Sequence, residues 1–154
     1  MTTFFEHQRT SYKRNYLKNL ISLASTDGSL DVEERALIIK IGQKRGLKEW
    51  QIHQLMEDTG SHSVFLPESM GNRMNMLYDL MQIIYADSMV NQQEVDFMVS
   101  IVEAFQLHPE IVDQLMELFQ NCTPTPTEWK DFVDFVCEDN NISGTEINRI
   151  VSDH

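Results

Sequence analysis

Residues 23–57, LASTDGSLDVEERALIIKIGQKRGLKEWQIHQLME, lie without a gap over residues 83–117, IIYADSMVNQQEVDFMVSIVEAFQLHPEIVDQLME, at a constant offset of sixty. Asp27 matches Asp87, Glu34 matches Glu94, Ile41 matches Ile101 and Leu47 matches Leu107. The stretch Gln-Leu-Met-Glu at 54–57 returns as Gln-Leu-Met-Glu at 114–117. Helical proteins share Leu and Glu by chance, so the order of parts carries the match. Each copy reads helix end, acidic turn, helix, short turn, helix. A fixed period of this kind marks two copies of a three-helix unit.

Working outward, every long segment has the spacing of a helix and none alternates like a strand. The spacing of Tyr12, Tyr16, Leu20 and Leu23 predicts a first helix over about 10–25. A second follows Asp31 and stops at Gly46, a residue that readily takes the left-handed conformation ending a helix. A third covers about 48–58, and Val64, Phe65 and Leu66 beyond it are expected to tuck into the core. Pro67 is expected to open the longest helix, with Met70, Met74, Leu77, Met81 and Ile84 on one stripe. Further helices are expected at about 92–105, 109–120, 126–138 and 145–152, with residues 121–127, NCTPTPT, as the clearest linker. The expectation is a single all-α domain over 1–154, a bundle of seven to eight helices. Its first repeat covers about 10–60, its second about 67–120, and a C-terminal helical pair about 126–152.

A chain of 154 residues with 42% apolar content suits one domain with a real core. No run of eighteen apolar residues spans a bilayer. The first twenty residues carry charges where a secretory signal needs an unbroken apolar run, so none is expected. Cys122 and Cys137 form no CxxC pair, which suits a reducing, cytoplasmic location. Charge is uneven: residues 1–60 hold nine Lys/Arg against eight Asp/Glu, residues 61–154 three against sixteen. Such an acidic surface repels phosphate backbones, so nucleic acid is not an expected partner; a protein with a basic surface, or a cation, is. The same charge also serves solubility.

The acidic turns carry the candidate chemistry. Asp31, Asn91 and Ser143 each stand three residues before a Glu, at Glu34, Glu94 and Glu146. These are capping boxes, in which the Glu side chain reaches back to the cap's own N–H, at about 1 kcal/mol per cap. The boxes account for the Glu residues without a ligand. Asp27 and Asp87 are harder to place, because they follow helix C-termini, where unpaired carbonyls already make the potential negative. Two readings offset this. The Asp side chain accepts N–H groups of its own loop in an Asx-turn. Alternatively, Asp and Glu hold calcium, magnesium or manganese with hard oxygen donors. Asp139 repeats the Asp-to-Glu spacing of seven at the C-terminus. It begins no EF-hand, since Ile150 stands where the bidentate Glu belongs.

LASTDGSLDVEERALIIKIGQKRGL followed by MQIIYADSMVNQQEVDFMVSIVEAFQL resembles the TerB-like (tellurite-resistance B) family over about residues 10–120. The resemblance rests on an Ala-x-x-Asp-Gly-x-hydrophobic-x(3)-Glu turn at residues 24–34, repeated from Asp87 to Glu94 with Ser88 departing from the Gly seen at Gly28. It implies a compact helical bundle with internal two-fold pseudosymmetry and a stress-response role. It also implies divalent-metal binding, for which Asp27, Glu34, Asp87 and Glu94 are the matching positions. Related domains occur beside J-domain chaperones.

Other features read as structure. Four of the nine Met residues lie on the helix after Pro67, at core spacing. Trp50 and Trp129 are expected to anchor against the core. The five His show no zinc spacing, and no nucleophile elbow, phosphate loop or dinucleotide fingerprint is present. No catalytic residue is therefore assigned. The expectation is a non-enzymatic binding module, metal-responsive or acting through protein contacts alone.

Overall fold

The computed structural model describes residues 4–25, 30–57, 64–86 and 90–139. They form seven α-helices: α1 Phe4–Ala24, α2 Val32–Lys44, α3 Glu49–Glu57, α4 Met70–Ile84, α5 Gln92–Ala104, α6 Ile111–Phe119 and α7 Pro126–Asp139. Among the described residues there is no strand. The protein is all-α. The expected eighth helix, about 145–152, and the third cap, Ser143 with Glu146, lie outside the described residues.

Helix starts follow from their side chains. Asp31 accepts from Glu34 N at 2.8 Å, and Glu34 Oε1 accepts from Asp31 N at 3.3 Å. Asn91 and Glu94 repeat the exchange at 2.8 and 3.1 Å. A third box stands at Thr125 and Glu128, at 3.1 and 3.2 Å, where the linker NCTPTPT gives way to the helix expected from about 126. α4 begins three residues later than Pro67 suggests, because Ser69 Oγ accepts from Asn72 N and caps it.

Helix ends also match. Gly46 N donates to Gln43 O at 3.0 Å and Leu47 N to Gly42 O at 2.9 Å. Gln106 N and Leu107 N repeat these bonds to Glu103 O and Val102 O, both at 3.0 Å. Gly46 has φ +100° and Gln106 φ +62°, so one left-handed residue stops each helix. α2 and α5 thus begin, run for 13 residues and end at positions sixty apart.

α1 and α4 pack together at the centre, with α2 against both of them. Leu17, Leu20 and Leu23 from α1 meet Met74, Met76, Leu77, Leu80 and Met81 from α4, all essentially without solvent exposure. Two polar contacts cross this seam. Asn19 Nδ2 lies 3.1 Å from Met76 Sδ, and Tyr16 OH donates to Asp79 at 2.6 Å. Tyr16 and Asn19 stand sixty residues before Met76 and Asp79. α7 closes the core through Trp129, Val133, Val136 and Cys137. Trp129 meets Tyr78 and Phe119 edge-on and stacks on Phe132.

Several expectations need correction. α1, at 21 residues, begins at Phe4 and exceeds the 15-residue α4. No Gly or Pro interrupts residues 4–24, so the helix continues upstream of the apolar stripe that marked it. Trp50 is 60% exposed instead of anchored. It stands about 200° round α3 from buried Ile52. Val64 and Leu66 are each 42% exposed, while Phe65 and Pro67 turn inward, the alternation of an extended segment. Asn19 fixes that segment with its amide, donating to Phe65 O at 2.7 Å and accepting from Phe65 N at 3.0 Å.

Candidate functional site

Of the four residues matched to the acidic turns, Glu34 and Glu94 are described and Asp27 and Asp87 lie outside the described residues. Both Glu side chains are buried, at 4% and 5% exposure, and each gives Oε1 to its cap's backbone N–H. Among the described residues, no three His, Cys, Asp or Glu side chains gather in a way that could hold a metal ion.

Two other places concentrate chemistry. The first is a polar cluster where α1, α2 and α4 meet. Asp79, 1% exposed, receives Tyr16 OH at 2.6 Å, Arg45 Nε at 3.1 Å and Arg45 Nη2 at 2.9 Å, all on Oδ2. Arg45 also lies over the Tyr16 ring, 5.6 Å from its centroid. Burial, reinforced by the Asp79 charge, raises the Tyr16 pKa well above its ordinary value, so this hydroxyl stays protonated as a donor. Burial works against the Arg45 charge, but the Asp79 carboxylate beside it offsets this and the guanidinium is held more firmly protonated. Local spacing could not reveal this cluster, because its partners stand 63 and 34 residues apart. One signal was visible: Asp79 is the lone charge within MLYDLMQII. A buried carboxylate on such a face requires a cation from elsewhere.

The second place is a groove between α6 and α7. Gln114, Glu117, Leu118, Glu128, Phe132 and Phe135 border a space of about 530 Å³, and Phe135 is 52% exposed. The exposed surface of residues 90–139 is acidic. Asp96, Glu103, Glu110, Asp113, Glu117, Glu128, Asp131 and Glu138 are exposed, whereas Lys130 is the sole Lys or Arg between residues 90 and 139. Cys122, exposed at the rim, and Cys137, buried, are both free thiols.

Among the described residues, no helix is long and apolar enough to cross a membrane. No family model, curated protein or solved structure matches this chain.

Proposed function

We propose that the chain is a TerB-like acidic helical binding module, not an enzyme, and that its α6–α7 groove receives a basic amphipathic segment of a partner protein. The observation that carries this reading is half-exposed Phe135, which lines one groove together with Phe132, Leu118, Glu117 and Glu128. An aromatic anchor at the centre with charges at the rim is how helix-binding grooves combine affinity with steering. Under this reading the acidic turns serve as caps, with Glu34 and Glu94 fixing the starts of α2 and α5.

The test is fluorescence anisotropy of a short lysine- and leucine-rich amphipathic peptide titrated with the full chain. Binding is expected to weaken with added salt and to fall by about tenfold or more in Phe135→Ala. Equal binding of a glutamate-substituted peptide, or unchanged affinity in Phe135→Ala, rules the groove out.

Divalent cations held by Asp27 with Glu34 and by Asp87 with Glu94 are a second reading, bearing on stress-response regulation of the same module. It draws support from the burial of Glu34 and Glu94, since a buried carboxylate is stabilised by a nearby positive charge. Calcium and manganese titration followed by thermal unfolding separates the two readings. A cation site predicts stabilisation of the wild type that is lost in the Asp27→Asn, Asp87→Asn double variant; identical curves remove the metal and leave the caps.

A further inference from the structure

Tyr12, Lys13, Tyr16, Arg45, Asn72 and Asn75 line a cavity of about 260 Å³ next to the buried Asp79. Its chemistry goes beyond what the fold needs. Asn75 is 3% exposed, yet its Oδ1 accepts no hydrogen bond from the described residues. Native folds seldom leave such an acceptor unpaired unless something else supplies the donor. Arg45 commits Nε and Nη2 to Asp79, and Nη1 takes part in neither bond. Lys13 folds over the end of α2, where a Cβ on Gly46 would come within 2.6 Å of its Nζ. The ammonium there faces a helix C-terminus, which favours its charge.

The repeat frame does not dictate this opening. Phe105 stands in the second segment where Arg45 stands in the first, and it is fully buried. Arg73, at the position matching Lys13, is bound by Pro67 O at 2.7 Å and lies over the Phe105 ring. The same helix end is thus filled by an apolar ring on one side and lined by polar groups around a space on the other.

We propose that this cavity binds a small carboxylate that also carries a hydroxyl or amino donor. Asp79 and Arg45 neutralise each other, which among the described residues leaves Lys13 as the one uncompensated charge on the lining and favours a monoanion. The carboxylate pairs with Lys13 and Arg45 through charge-assisted bonds. The donor satisfies Asn75 Oδ1, and the Tyr12 and Tyr16 rings flank the carbon skeleton. The volume suits a ligand of few heavy atoms.

The experiment titrates full-length ¹⁵N-labelled protein with glycolate, acetate and inorganic phosphate at constant ionic strength, following the Asn75 side-chain amide by NMR. Glycolate is expected to give saturable shifts, with acetate about tenfold weaker because it offers Asn75 no donor. Lys13→Met, at a half-buried position outside the Asp79 cluster, is expected to retain the fold and weaken glycolate by about tenfold. The proposal is overturned by any of three results: no saturable response, acetate or phosphate binding as tightly as glycolate, or unchanged glycolate affinity in Lys13→Met.

Discussion

The ends of α2 and α5 share one backbone and differ in what fills it. Each helix starts at a capping box and stops at a left-handed residue, and the closing hydrogen bonds agree within 0.1 Å. At the first end Gly46 follows Arg45, which is bound to a buried carboxylate and borders a cavity; at the second, exposed Gln106 follows buried Phe105. Backbone capping and apolar spacing suffice to set the frame. The side chains projecting from it are free to diverge, and the divergent positions are where chemistry collects.

The sharpest way to break the comparison is to remove the charge at the first end. Arg45→Met leaves Asp79 buried without its cation and is expected to cost about 3–5 kcal/mol in denaturant unfolding. Making the first end resemble the second, with Arg45→Phe and Asp79→Asn together, is expected to recover most of that loss, since an ion pair replaced as a unit costs little. Additivity of the two single changes would show that the pair is not coupled.

Caps provide a smaller and symmetric test. Asp31→Ala and Asn91→Ala are each expected to destabilise by about 1 kcal/mol, because both boxes have the same geometry. A much larger loss at one of them would show that its box carries more than a cap. At the helix stops the two segments are expected to respond in opposite directions. Gly46→Ala forces a Cβ into a left-handed position and against Lys13, costing about 1 kcal/mol, whereas Gln106→Gly relieves the same strain and gains a few tenths.

The smallest effect concerns alkaline pH. The raised Tyr16 pKa means the folded chain holds a proton that the unfolded chain releases near pH ~10. Its contribution is complete below that pH and is lost as pH rises toward the folded value. Tyr16→Phe is therefore expected to flatten the fall in stability above pH ~10, read from denaturant midpoints.

These contrasts also show what the chain makes legible. Local rules gave the seven described helices, the caps at Asp31 and Asn91 and the stop at Gly46, because each depends on residues within one or two turns. Trp50 and Leu66 face solvent instead of the core because which way a side chain faces near a helix start or in an extended segment depends on one position of phase. The Tyr16–Asp79–Arg45 cluster and the α6–α7 groove depend on tertiary neighbours far apart in sequence, where no spacing rule applies.

The central functional claim is that the acidic α6–α7 groove is the docking surface. Its most direct test is the ¹⁵N NMR spectrum of the full chain with the lysine- and leucine-rich peptide. The account predicts that the largest shifts fall on Leu118, Phe132 and Phe135, with α1 unmoved; shifts confined to other helices, or spread evenly over the acidic surface, would contradict it.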